Sequence, residues 1–339
     1  MDHRFGGKFS PLVFGSFDAA TTGLEDFLCV DRAEHRQNMS KGVAGIVLEV
    51  GKMVADARAR FSEMKEESAL MEFSEMEKES ALMKQAEQLE ECLHYILHEE
   101  AGSSKVTFEN GNLMRDCDEF GACVPSREIV DPVTGQKRGM RLDDFVNHRS
   151  ARLTGLMREH VLALRLYSTI AFRSINNPLR DQSRRAEGRA HPLPVTVTLI
   201  GEALRQLRKV ESNSATAQDS VVLYRGLKGS CVSPEFLAMG GTELAPMSTT
   251  NDLKLALQYS ASEHSVILRF RSKDFMDRGV SIEFLSAFPG GTSEALFPPL
   301  TYLRPMRKEV RSGVSKPQRP QVVKVGDATF TFVDVQALV

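Results

Sequence analysis

The 339 residues carry 43 Lys and Arg against 45 Asp and Glu, a formal net charge of −2, with 42% hydrophobic and 26% charged residues. This is the balance of a globular chain long enough for one large or two ordinary domains, and nothing in its overall charge draws it to nucleic acid or anionic membranes. No run approaches the ~20 apolar residues of a bilayer span, the opening residues lack the apolar core of a secretion signal, and the five cysteines show no metal-ligand spacing. An odd cysteine count suits a reducing compartment. The expectation is a soluble, cytoplasmic protein without metal, membrane or nucleic-acid partners.

Residues 40–100, rich in Ala, Glu, Lys, Leu and Met, read as helix. Within them "FSEMKEESALM" at 61–71 is followed by "FSEMEKESALM" at 73–83. A period of 12 rotates the second copy by roughly 120° about one straight helix. A shared coiled-coil seam is therefore excluded, and a local duplication on a surface helix is the simpler account. Residues 101–140, with "ENGN", "FGAC" and "VDPVTGQKRG", read as loops. Helical spacing returns over 152–180 at Leu156, Leu162, Leu166 and Ile170, and again in "TVTLIGEALRQLRKV". From 220 onward the texture changes to short strands: "SVVLYRG", "SVILRFR", "GVSIEFLS", "LTYLRP" and "ATFTFVDV". Two helical hints lie among them, "SPEFLAM" and "NDLKLALQYSASE", the second with Thr250 or Asn251 as its N-cap. Helices first and a mainly antiparallel sheet afterward imply an α+β fold.

Three short motifs fall on the strand-rich part: "LYRG" with Arg225 and Gly226, "MSTT" with Ser248, Thr249 and Thr250, and "TSE" ending in Glu294. Arginine offers a permanent forked cation suited to a pyrophosphate. Gly226, lacking a β-carbon, admits close approach of a planar ligand to the backbone. A serine hydroxyl can donate to the glutamate and fix its orientation.

In this order the residues resemble the R-S-E triad of the arginine-type mono-ADP-ribosyltransferases. "LALRLYSTIAFRSINNPLR", "GGTELAPMSTTNDLKLALQYS" and "FPGGTSEALFPPLTYL" are similar to further segments of that family, so the resemblance runs from about 150 to 305. "GLEDFL" and "DRAEH" near 23–35 look like a helical leader found ahead of some members. The resemblance implies a split antiparallel sheet in a catalytic domain over 141–339, behind a helical region and linker over 1–140. It implies NAD as co-substrate and a protein acceptor, arginine by analogy. Arg225 would bind the NAD phosphates or the adjoining ribose, Ser248 would orient Glu294, and Thr249 and Thr250 would shape the nicotinamide pocket. Glu294 would hold the nicotinamide-ribose 2′-OH and stabilise the positive charge that develops on that sugar. Phe288 and Thr292 would lie on the acceptor loop, and Tyr259 would pack near the dinucleotide or in the core.

Two departures stand out. Arginine-modifying members carry Glu-x-Glu, and this chain has Thr292 at the first of those positions; Met247 stands where an aromatic often precedes the Ser-Thr pair. Threonine supplies no charge to a guanidinium acceptor. Three readings stay open: an arginine transferase, an NAD glycohydrolase using water, and a non-enzymatic interaction protein on the same fold. Other candidates read as ordinary structure: His94 and His98 as one side of a helix, Cys117 and Cys123 as thiols, "GLKGS" as a turn, and the basic clusters near 180–189 and 304–319 as solvated loops.

Overall fold

The computed structural model describes residues 23–67, 73–103, 116–118, 122–211, 220–272, 277–287, 294–309, 315–317 and 319–338. Phe288 and Thr292 lie outside the described residues. The described residues form two compact units, one within 24–206 and 284–287, the other within 207–283 and 294–338.

The helical unit begins with α1 (Leu24–Phe27) and α2 (Arg32–Met39), the latter capped by Asp31, whose carboxylate accepts from Ala33 and Glu34 N–H. The single helix expected over 40–100 is two, α3 (Val43–Glu67) and α4 (Phe73–His98). They run antiparallel, since Arg58 Nη2 reaches Glu90 Oε2 at 2.8 Å although 32 residues separate them. Doubling back buries Ile46, Val50 and Val54 on one arm and Ala86, Leu89, Leu93 and Ile96 on the other, apolar stripes that a straight rod would leave in water. The described parts of the duplicated segments, 61–67 and 73–83, therefore fall on opposite arms.

The stretch expected to be all loop contains a hairpin, β1 (Glu128–Val130) with β2 (Lys137–Gly139). Over 142–186 come α5 (Leu142–Asn147), α6 (Arg149–Thr154), α7 (Arg158–Tyr167), α8 (Phe172–Arg180) and α9 (Gln182–Ala186). The helix expected over 152–180 is thus broken twice. Gly155 at φ 70° ends α6 in the left-handed region that glycine adopts without penalty. Every residue of α7 from His160 through Tyr167 is buried, the apolar ones on all sides of the helix and Arg165 only with a carboxylate partner, Asp116. In α10 (Pro194–Glu211) the first turn presents the Val195 and Thr196 N–H groups to the carboxylate of Glu49 on α3, each at 2.8 Å.

The other unit is built on one hydrogen-bonded network of nine strands. In chain order these are β3 (Val221–Lys228), β4 (Gly241–Glu243), β5 (Met247–Thr250), β6 (His264–Ser272), β7 (Val280–Ser281), β8 (Glu294–Phe297), β9 (Thr301–Pro305), β12 (Gln321–Val325) and β13 (Ala328–Leu338), with a separate hairpin of β10 (Arg307–Glu309) and β11 (Ser315–Pro317). The order is β4-β9-β13-β6-β3-β5-β8-β7, with β12 on β13. Only β13 and β6 pair in parallel. β3 pairs with β6 over eight residues and with β5 at the single pair Tyr224↔Thr250. That single pair is the one join between β5, β8 and β7 and the rest of the described sheet. Buried between are Leu223, Met247, Leu268, Phe270, Phe297, Leu303 and Val335, with the Phe270 and Phe297 rings stacked at 5.3 Å. Two helices complete the unit, α11 (Pro234–Met239) and α12 (Leu253–Ser260). The cap of α12 is Asp252, not Thr250 or Asn251: its carboxylate accepts from Lys254 N at 2.8 Å and Leu255 N at 3.3 Å.

Candidate active site

Strand register decides which of the candidate side chains can meet. Antiparallel partners project to one face, and residues two apart on a strand do the same. β5 and β8 pair Ser248 with Leu296 and Thr250 with Glu294, so Ser248, Thr250 and Glu294 share a face. There the Ser248 hydroxyl donates to Glu294 Oε1 at 2.9 Å. Arg225 lies on β3, one residue past the pair that joins the two parts of the sheet. Its Nη1 donates to the Ser248 carbonyl at 2.8 Å, and its Nη2 stands 3.9 Å from Glu243 Oε2. Arg225, Ser248 and Glu294 are thus connected without interruption, the guanidinium bracing the peptide whose hydroxyl orients the acid.

The guanidinium is only 6% exposed. A cation at that depth needs a counter-charge, and Glu243, the acid of the "GGTE" segment, stands in that position. Glu243 is itself held by the Ala245 N–H at 3.1 Å.

Thr249 and Gly226 are not gathered with these residues. Alternation turns Thr249 to the opposite face of β5, where its hydroxyl donates to Ala295 O at 2.9 Å. A β-carbon on Gly226 would meet the Ala256 carbonyl oxygen at 2.2 Å and Ser260 Cβ at 2.8 Å. A close approach that requires glycine there is made by α12. Thr250, on the Glu294 face, accepts from Asp252 N at 3.1 Å. Tyr259 is 53% exposed, so it is no core residue. A surface groove of about 670 Å³ in the same unit, lined by Met239, Tyr302, Arg304, Met306, Arg307 and Gln336 among others, includes none of the three connected residues.

The helical unit contains a second polar constellation. Asp116, fully buried, receives Arg165 through Nη1 at 2.9 Å and Nη2 at 2.7 Å, the Tyr95 hydroxyl at 2.6 Å and Arg127 Nε at 3.3 Å. Burial alone would raise its pKa, but the charge and hydrogen bonds of Arg165, with Tyr95 and Arg127, outweigh it and hold the carboxyl below its usual range. Arg165 also lies over the Phe145 ring at 4.0 Å. The same groups grip residues 285–287: Arg165 donates to Leu285 O at 3.1 Å, Arg127 to Ser286 O at 2.8 Å, and Asp116 N–H to Ala287 O at 2.9 Å. An arginine inside the apolar run "LALRLY" was the one visible hint of it.

Among the described residues no cluster of His, Cys, Asp and Glu is arranged to hold a metal ion. The His94 and His98 rings instead lie 5.0 Å apart, with His94 beside Glu99. Among the described residues no helix is long and apolar enough to cross a membrane.

No family model and no curated protein matches this chain. Solved structures similar in part include the Clostridium limosum C3 exoenzyme (16% identity, 58% of this chain and 95% of that one, TM-score 0.36). Another is the eukaryotic mono-ADP-ribosyltransferase ART2.2 in complex with NAD (15%, 58% and 83%, TM-score 0.37). A third is C3stau2 from S. aureus with NAD (14%, 61% and 96%, TM-score 0.35). Likeness of this size carries no functional argument, and the chemistry rests on this chain's own residues.

Proposed function

We propose that the protein is an NAD-dependent mono-ADP-ribosyltransferase, breaking the bond between nicotinamide and ribose and moving ADP-ribose to a protein side chain. The observation that carries this reading is the Ser248–Glu294 hydrogen bond of 2.9 Å, on a strand whose carbonyl is braced by Arg225. The nicotinamide of NAD is already cationic and departs as a neutral molecule, so the step needs no general acid. Positive charge passes to the ribose, and the demand is for one fixed anion beside it. Glu294 meets that demand, accepting the ribose 2′-OH and stabilising the oxocarbenium-like charge. Ser248 holds the carboxylate in one orientation. Arg225 keeps β5 in place against β3 and contributes positive potential toward the pyrophosphate.

Arginine as the acceptor follows from the R-S-E resemblance. One residue favours a second reading. A guanidinium, with a pKa above about 12, must shed a proton as it attacks, and Thr292 offers no carboxylate to take it. Water then competes, and the product is free ADP-ribose. Incubation with labelled NAD and the guanidino compound agmatine separates the readings. An ADP-ribosyl-agmatine adduct supports arginine transfer, free ADP-ribose supports hydrolysis, and intact NAD with folded protein contradicts both.

A further inference from the structure

Cys117 and Cys123 oppose one another across an isolated antiparallel bridge in the helical unit. The flanking backbone bonds run from Asp118 N to Ala122 O, 2.8 Å, and from Val124 N to Asp116 O, 3.0 Å. They enclose the cysteine pair rather than join it. This is the non-hydrogen-bonded kind of pair, in which α-carbons stand about 4.5 Å apart and side chains lie closest. A disulfide needs α-carbons about 4.4–6.8 Å apart.

Both sulfurs converge on one glycine. Cys117 Sγ lies 3.5 Å from Gly102 O, and Cys123 Sγ lies 3.1 Å from the point where a β-carbon on Gly102 would sit. Gly102 adopts φ +78°, so the space is kept open by a residue that has no side chain to fill it. Asp116, immediately before Cys117, holds φ +49°, an uncommon conformation for a residue with a side chain.

We propose that Cys117 and Cys123 are a redox-responsive dithiol that closes to an intramolecular disulfide in the folded protein. The oxidant is a low-molecular-weight disulfide such as oxidised glutathione. Cys123 is part-exposed while Cys117 is 1% exposed, so Cys123 attacks first. It gives its proton to solvent, bonds to one glutathione sulfur and expels the other as a thiol. Cys117 then loses its proton, attacks Cys123 Sγ and expels the second glutathione. Two protein thiols are oxidised by two electrons, and one glutathione disulfide is reduced to two thiols. Burial, with the charges of Asp116 and Glu128 and the neighbouring Cys117 outweighing Arg127, pushes the Cys123 thiol up to about 11. Attack is therefore slow at neutral pH and quickens with alkalinity. Closure fixes the backbone beside Asp116, the residue that grips 285–287. The proposal stands apart from the NAD reading.

The test treats the native full chain with oxidised glutathione, verifies by circular dichroism that it stays folded, and maps thiols by mass spectrometry of an unreduced digest. The expected result is a Cys117–Cys123 cross-linked peptide two mass units below the dithiol, reversed by reduced glutathione. Cys117→Ser should leave Cys123 as a lasting mixed disulfide with glutathione. Cys123→Ser should leave Cys117 unmodified. A folded parent in which Cys123 stops at the mixed disulfide, or in which neither cysteine reacts across pH 7–9, overturns the proposal.

Discussion

Ser248 and Glu294 divide one task, and the two substitutions should separate their shares. Ser248→Ala removes one hydrogen bond to a charged acceptor, a loss of about 1.5–3 kcal/mol. NAD cleavage should slow roughly 10–100-fold, with the acid still present and melting unchanged. Thr292→Glu tests the acceptor. A carboxylate there can orient and deprotonate a guanidinium, so the ratio of agmatine adduct to free ADP-ribose should rise several-fold. An unchanged ratio removes Thr292 from the account of acceptor choice. That the Ser248 hydroxyl would meet Glu294 was legible in the sequence through the order of the three motifs and their resemblance to the R-S-E triad. The positions of Thr249 and Gly226 were not, since facing requires a register and a neighbouring helix that single motifs do not encode.

Among the elements, α12 accounts for Gly226. Any β-carbon at that position would press on the Ala256 carbonyl at 2.2 Å, and the strand and helix must separate to admit it. Gly226→Ala should therefore destabilise the protein by about 1–3 kcal/mol or more, read as a fall in the urea midpoint at constant slope. Unchanged stability combined with weakened NAD binding would restore the ligand-approach reading. Strands and helices after 220 were largely visible in the sequence because each is a short apolar run closed by Gly, Pro or Ser. The pairing of α3 with α4 was hidden, because it is set by which apolar stripes can bury each other, a choice made in three dimensions, whereas Gly155 marked the end of α6.

Over the whole molecule, pH adds a measurable signature. Burial, aided by the charge of Arg184, pushes His191 down to about 3, and the ring stays neutral between Ile175 O at 3.1 Å and the Leu193 N–H at 3.0 Å. The unfolded chain binds a proton at this residue below about 6.5 while the folded one does not. Stability is therefore lost as pH falls from about 6.5 toward 3, at up to about 1.4 kcal/mol per unit. Glu49 works in the opposite sense: burial raises it to about 8 against its hydrogen bonds to Thr196 and Val195, so its contribution is fullest at low pH and declines as pH rises through 8. Urea midpoints of the parent and His191→Gln between pH 7 and 4.5 should converge as pH falls; parallel curves would refute the assignment. The fold class could be read from the change in texture at 220, whereas the grouping of residues 284–287 with the helical unit could not, because it rests on Asp116, Arg127 and Arg165 meeting across long stretches of chain. The central claim, that one oriented carboxylate stabilises the sugar cation, is tested most directly by nicotinamide release from NAD by the parent and by Glu294→Gln. The account predicts loss of about 100-fold or more in a variant that melts with the parent; equal release by the two proteins would contradict it.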